Sequence, residues 1–329
     1  MDLNAIDGGA VEGLAATIAS AEAVVPVGAR TQWEVGNPSG PGVEVSAPAG
    51  VTRYEPEDLT ITVGAGTSFV ALHAALATQG QECPLDPRDP AATIGGIVAC
   101  GLSGIRRRRH GPLREHVLEV RFVTADGRLV KGGGQTVKNV TGYDLPRLLV
   151  GSFGTLGMLV QLTLRCRPRP ACARWFRADE PSDLYRAASM LWDGRTTHVL
   201  LEGVTADVET QSAGLRSSEA PALPIGDHRG RISVAPGALP AVGRALDDTP
   251  GARWCAEIGV GTVHVAADDP AVLAAARAIA HAHDGWMLRE AGGDGIDGFG
   301  CDLPNAGLMR RVREAFDPTG KLAPRRLPL

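Results

Sequence analysis

The sequence predicts an α+β fold in two units, residues 1–170 and a smaller unit over 171–329, the second built on an antiparallel sheet. Three observations predict it. Helix-period and strand-period patterns alternate along the first half. Three glycine-bearing loops, around Pro26–Thr31, Ala92–Gly96 and Gly142–Gly157, all fall in that half. The run Arg167-Pro168-Arg169-Pro170 then punctuates the end of a strand, where the boundary is expected.

Taken in order, Val11, Leu14, Ala15 and Ile18 recur at helical spacing and predict an amphipathic helix over 9–21. Val24 and Val25 begin a strand that breaks at Pro26 and Gly28. Thr60–Val63 is β-branched and strand-like, and Gly64 and Gly66 turn the chain. Phe69, Leu72, His73 and Leu76 then share one helix face, where His73 is read as a packed or half-exposed helix residue rather than a ligand. From Val117 to Val130, two alternating runs flank Asp126-Gly127, a hairpin signal. Thr136 to Val160 reads as a turn, a short helix and a glycine-punctuated strand, with Leu156–Arg165 extended. In the second unit, helices are expected near 181–193 and 269–283, strands at 197–204, 231–235 and 257–266, and a loop at Ser217–Gly230.

Composition narrows the function classes. The 329 residues are 44% hydrophobic and 21% charged, enough apolar material for a proper core. A net charge of -4 provides no global field for nucleic acid or an acidic membrane. Cys83, Cys100, Cys166, Cys172, Cys255 and Cys301 are scattered without a CxxC pair or metal-ligand spacing, so free thiols are expected and no metal. No apolar run of membrane-spanning length and no basic-then-apolar leader is visible, so a soluble cytoplasmic protein is expected, with docking to a membrane complex through a partner left open.

The glycine loops carry the chemistry. A pyrophosphate is commonly held by backbone N–H groups, which approach only where side chains are small. Pro26, Val27, Gly28, Ala29, Arg30 and Thr31 supply one such loop. Thr93, Ile94, Gly95 and Gly96, with Gly101, Ser103 and Gly104, supply a second. Neither is a GxGxxG opening a helix after a strand, and no GxxxxGK[ST] occurs, so nicotinamide binding by that fold and P-loop hydrolysis are disfavoured. Taken alone, PVGART is also compatible with a ligand-free turn. Arg106–Arg109 is read as a solvated loop, with contact to adenosine phosphates or a partner subunit as the other reading.

Residues 22–168 resemble the FAD-binding domain of the vanillyl-alcohol oxidase and para-cresol methylhydroxylase superfamily (PCMH type). The matching pieces are PVGART, YEPEDLTITVGAGT (54–67), CPLDP (83–87), ATIGGIVACGLSG (92–104), RHGPLREHVLEV (109–120) and VKNVTGYDLPRLLVGSFGTLG (137–157). VKNVTGYD, the short length and the closing MRRVREAFDPTGKLAP (309–324) further resemble the smaller flavin-binding subunits of bacterial glycolate oxidases. The resemblance implies FAD as cofactor, with Pro26–Thr31 wrapping its pyrophosphate from one side and Thr93–Gly96, Gly101, Ser103 and Gly104 from the other. It puts Leu85, Asp86 and Pro87 beside the isoalloxazine or ribityl chain. Gly142, Tyr143 and Asp144 would approach the flavin, unless Tyr143 simply packs, and Gly154, Gly157 and Met158 would offer backbone toward the ring or adenine side. Where the family commonly has SEGTLG, Phe153 replaces the acid.

The resemblance also implies an FAD-dependent oxidoreductase acting on a CH–OH donor. It would be a subunit of a glycolate-oxidase-like complex with a larger flavoprotein subunit and an iron–sulfur subunit, oxidising a small 2-hydroxy acid to the 2-oxo acid. Related D-2-hydroxyacid dehydrogenases carry an HxGDGN-type metal cluster that takes the substrate proton, and this chain has none. Its nearest candidate, His264 in GVGTVHVAADD, reads as a structural residue, and covalent flavin attachment at His110 is not expected. The principal chemistry is therefore expected in the larger partner. The alternatives are a stand-alone FAD oxidase assisted by Tyr143 or His264, and a noncatalytic assembly subunit retaining the fold.

Overall fold

A computed structural model describes residues 8–134, 142–178, 184–293 and 295–329. The expected elements of the first half form where their patterns place them. A helix runs Gly8–Ser20 with Val11 and Ile18 buried. The Thr60–Gly64 strand is buried throughout, as its β-branched run requires. The Phe69–Ala77 helix starts at Ser68, whose hydroxyl accepts from Ala71 N, and buries Leu72 and Leu76. The Val117–Val123 and Leu129–Gly133 strands form the expected hairpin, with Gly127 at φ +82° in its turn.

These strands belong to a five-stranded antiparallel sheet in the order Val51–Glu55, Thr60–Gly64, Met158–Arg165, Val117–Val123, Leu129–Gly133. The Phe69–Ala77 and Ile94–Cys100 helices cover it, and Ile61, Leu72, Ile97, Phe122 and Leu162 meet in its core. Beside it Val24–Pro26 pairs in parallel with Val43–Val45, and this short ribbon leads directly into the Pro26–Thr31 loop.

Between Pro168 and Cys172 the chain leaves a short pairing with Gln81–Glu82 and enters the second sheet. That sheet is larger than expected, eight antiparallel strands in the order Arg216–Ser218, Cys172–Ala178, Thr197–Gly203, Ser189–Trp192, Arg253–Glu257, Thr262–Ala267, His228–Ser233, Trp286–Ala291. The helices Leu239–Asp247 and Pro270–Ala282 pack on one face with Trp254, Val263 and Met287. The helix expected at 181–193 does not form over its second half, where Ser189–Trp192 is a strand paired with Thr197–Gly203. Met190 packs with Val199 in the cluster of buried apolar residues around Phe176, and this cross-strand pairing outweighs helical periodicity.

The last residues return to the first unit. Phe316, ending the Ala306–Phe316 helix, stacks on Phe122 at 6.2 Å. Val24 N donates to Lys321 O and Ala323 N to Val24 O, adding the tail to the Val24–Pro26 edge. Lys321 Nζ donates to the carbonyls of Ile18 (2.6 Å) and Ala19 (3.1 Å) at the end of the first helix, where a cation meets the negative pole of the helix dipole.

The four arginines of 106–109 correct the solvated reading, because three of them reach the second unit. Arg106 lies 2.9 Å from Glu82, 2.7 Å from Asp86 and 3.2 Å from Glu202, the last on the Thr197–Gly203 strand. Arg109 donates to the carbonyls of Arg186 (3.0 Å) and Glu202 (2.8 Å), and Arg108 to that of Ile258 (3.2 Å). His110 Nε2 sits 2.5 Å from Glu202, with Arg167 against its ring. Glu82, His110 and Glu202 also cluster closely enough to hold a cation, but the guanidinium groups of Arg106, Arg109 and Arg167 already supply their positive charge. Burial opposes ionisation of Glu202, yet its hydrogen bond from His110 and the charges of Arg106 and Arg167 hold it down at about 2.

Breaking a buried ion network leaves its partners unpaired, so Arg106→Met should lower the unfolding free energy by about 3 kcal/mol in denaturant titration. A carboxylate depressed on folding stabilises the protein above its unfolded pKa and loses that contribution as pH falls. Stability should therefore decline from about pH 4.5 toward pH 2, and Glu202→Gln should flatten that acid limb.

Candidate cofactor site

The first unit contains a cleft of about 870 Å³, counted out to its open mouth. Two loops face each other across it. Pro26–Thr31 leaves the Val24–Pro26 strand, and Arg30 adopts φ +59°, which bends the loop back so that Trp33 N bonds Arg30 O. Gly28, Ala29, Arg30 and Thr31 line the cleft, and among the described residues nothing accepts a hydrogen bond from their backbone N–H groups. Consecutive unsatisfied donors of this kind form a concave seat for anionic oxygens.

The opposite wall is the start of the Ile94–Cys100 helix. Thr93 caps it, accepting from Gly96 N at 3.3 Å, and Gly95 and Gly96 present bare backbone to the cleft. Gly28 packs directly against the Thr93 side chain, leaving no room for a Cβ. A side chain at Gly28 would push Thr93 out of its cap and close the gap between the loops. The remaining walls are Gly154, Gly157 and Met158.

Of the residues singled out in the sequence, twelve line this cleft: Pro26, Val27, Gly28, Ala29, Arg30, Thr31, Thr93, Gly95, Gly96, Gly154, Gly157 and Met158. Ten stand outside it, each for a visible reason. Ile94 and Leu85 are fully buried in the first core. Asp86 is turned to Arg106, and with Pro87 it lines a separate groove between the two units, beside Arg88 and Trp175. Gly101 ends the Ile94–Cys100 helix at φ +70° and packs on Gly151, so its glycine serves the helix stop. Ser103 accepts from Leu113 N and, through its carbonyl, from Arg231. Gly104 packs on Asp86. Asp144 caps the Leu145–Leu149 helix by accepting from Arg147 N, Tyr143 is 92% exposed, and Gly142 has open space around it. Residues 135–141, with most of the VKNVTGYD motif, lie outside the described residues.

The sequence reading missed a second set of cleft residues, among them Trp33, Ala65, Cys100, Phe153 and Arg326. Arg326 comes from the returning tail, 230 residues beyond Gly96, and no local pattern marks it. Phe153, at φ +53°, lies edge-on to Phe299 at 5.6 Å. Burial pushes the Cys100 thiol up to about 11, despite Arg326 beside it. Among the described residues, none that lines the cleft is a carboxylate or a histidine. His264 is buried in the second sheet, with Nε2 2.8 Å from Glu257.

A family model described as FAD binding domain matches residues 10–133. This part of the chain is an FAD-binding domain. The cradle just described suits that cofactor, since its unpaired N–H groups and side-chain-free wall are what a diphosphate needs. Residues of the chain are 40% identical over 155 positions to glycolate oxidase subunit GlcE of Escherichia coli K12, covering 46% of this chain and 44% of that protein. They are 41% identical over 106 positions to a D-lactate dehydrogenase of Archaeoglobus fulgidus, 32% of this chain and 24% of that one. A D-2-hydroxyglutarate dehydrogenase of Xanthomonas citri pv. viticola is 37% identical over 170 positions, 49% and 36% of the two chains. The chain thus spans less than half the length of these curated relatives. A solved alkyldihydroxyacetonephosphate synthase shares the fold of the FAD-binding domain and of the second unit, with a TM-score of 0.69 at 14% identity over 97% of this chain and 75% of that one.

Substituting Gly28 with valine should raise the FAD dissociation constant at least tenfold in a fluorescence-quenching titration, while far-UV circular dichroism stays that of the parent protein.

Proposed function

We propose that the chain is the FAD-binding subunit of a glycolate-oxidase-like complex that oxidises a small 2-hydroxy acid to the 2-oxo acid. In this reading a larger flavoprotein subunit and an iron–sulfur subunit are its partners, and the electrons leave through the latter. The FAD-binding domain carries the reading, and the relatives named for glycolate, D-lactate and D-2-hydroxyglutarate give the substrate class. Among the described residues no helix is long and apolar enough to cross a membrane, so any membrane attachment is assigned to the partners.

Bound FAD supplies an acceptor for the two electrons that leave a C–H bond. The protein's part is to hold it. Gly28–Thr31 present backbone donors to the diphosphate, Thr93 fixes the facing wall, and the buried loop around Phe153 and Gly154 closes the side. Oxidation of a hydroxy acid also needs a group to accept the hydroxyl proton within hydrogen-bond reach. Among the described residues the cleft lining offers no carboxylate or histidine to serve as that base, and burial holds the proton on the Cys100 thiol. This favours a partner-dependent reaction over a stand-alone oxidase. His264 gives no support to the stand-alone alternative, because the Glu257 carboxylate already occupies its Nε2.

Titrating the purified flavin-loaded chain anaerobically with glycolate and with D-lactate tests the reading. The flavin should stay oxidised until the larger subunit is added. Bleaching of the visible band by either acid alone would overturn the partner-dependent assignment, and a chain that binds no flavin would overturn the cofactor role.

A further inference from the structure

Two arginines line the cleft, and their surroundings differ. Arg30 lies 2.6 Å from Glu44, an exposed ion pair at the cleft edge. Arg326 is only 8% exposed, and among the described residues no carboxylate lies within ion-pairing distance of it. Its guanidinium donates to the carbonyls of Trp33 (2.8 Å), Asn37 (2.7 Å) and Gln32 (3.4 Å) and lies over the rings of Phe153 (5.6 Å) and Trp33 (6.0 Å). These contacts orient the group without neutralising it. Cys100 beside it remains a neutral thiol, since burial holds its proton on. Another cation, Arg289 on the Trp286–Ala291 strand, also acts on it electrostatically; Arg289 donates to the carbonyls of Gly36 (2.7 Å) and Gly292 (2.8 Å) and, among the described residues, has no acid partner.

A buried cation without a counter-ion is among the costlier things a protein holds, and such groups are ordinarily paired. The backbone around this one keeps it in place all the same. The tail is zipped to the Val24–Pro26 edge by Val24 N to Lys321 O and Ala323 N to Val24 O, and Leu322 N donates to Asp317 at 2.7 Å. Ala323 and Arg325 are held at φ +43° and +66°, a region that L side chains rarely adopt. A strained, tied-down strap that ends in an unpaired guanidinium facing an anion-binding cleft is built for a negative ligand. We propose that Arg326 is the countercharge to bound FAD and that the 321–326 strap is part of the cofactor site.

The inference rests on the cleft being the FAD site, and it goes further by assigning a charge that lies outside the matched domain. FAD offers two places for that charge, the diphosphate and the flavin ring, which becomes anionic on two-electron reduction. The experiment compares the full-length parent with Arg326→Met and Arg326→Lys. It reads the FAD dissociation constant, the flavin reduction potential and the unfolding midpoint of the cofactor-free protein. Arg326→Met should raise the dissociation constant at least tenfold or move the potential negative, and Arg326→Lys should recover part of the loss because it keeps the charge. Lost affinity at an unchanged potential puts the charge at the diphosphate, whereas a negative shift puts it at the ring. Unchanged affinity and potential in Arg326→Met would overturn the assignment. So would equal losses in both variants that merely follow a lowered cofactor-free midpoint, since that pattern marks a structural anchor. A parent protein that fails to bind FAD would instead sink the reading of the cleft, and the assignment with it.

Discussion

The seam between the two units depends on Arg106. A single guanidinium faces two carboxylates from its own unit and one from the second sheet, and burial makes each of these contacts count. Exposed ion pairs contribute little, but a desolvated network punishes any displacement that strands one of its charges. The second sheet is therefore held in a defined register against the FAD-binding domain. That register in turn brings Arg289 to the carbonyl of Gly36 and sets Leu288 and Phe299 beside Phe153. Phe153, packed against residues of the second unit, in turn forms part of the cleft wall.

Much of the first unit was legible because its information is local. Ser68 and Thr93 as helix caps, Asp126-Gly127 as a hairpin turn and the β-branched Thr60–Val63 run all act within a few residues of themselves. The loops Pro26–Thr31 and Thr93–Gly96 could be read for the same reason, since small residues mark where backbone must be approached. The second unit was less legible. Ser189–Trp192 carries helical periodicity but is decided by partners at Thr197–Gly203 and Arg253–Glu257, and periodicity cannot register a cross-strand neighbour.

The residues that stand outside the cleft share a physical feature. Gly101 and Gly104 look like ligand-binding glycines in sequence, but one stops a helix and the other lets Asp86 pack against backbone. A glycine reports a steric demand without saying what makes it. Asp86, expected beside the flavin, meets Arg106, a residue twenty positions away in a basic run that local sequence marks as solvated. Arg326 escaped notice for the opposite reason, because its importance arises only when the tail folds back.

That return has a consequence for how the protein is made. The loops of Pro26–Thr31 and Thr93–Gly96 emerge from the ribosome early, but Ala323 and Arg326, which close the same cleft, follow the whole second sheet. Domains generally fold as units as they are synthesised, N-terminal first. Here the first unit must wait, with its Val24–Pro26 edge uncovered, until the tail arrives to pair with it. Completion of the cofactor cleft is thereby coupled to synthesis of the second unit and the 321–326 strap, and a nascent chain stalled in the second unit would carry the recognisable motifs of a flavoprotein without a finished place to put the flavin.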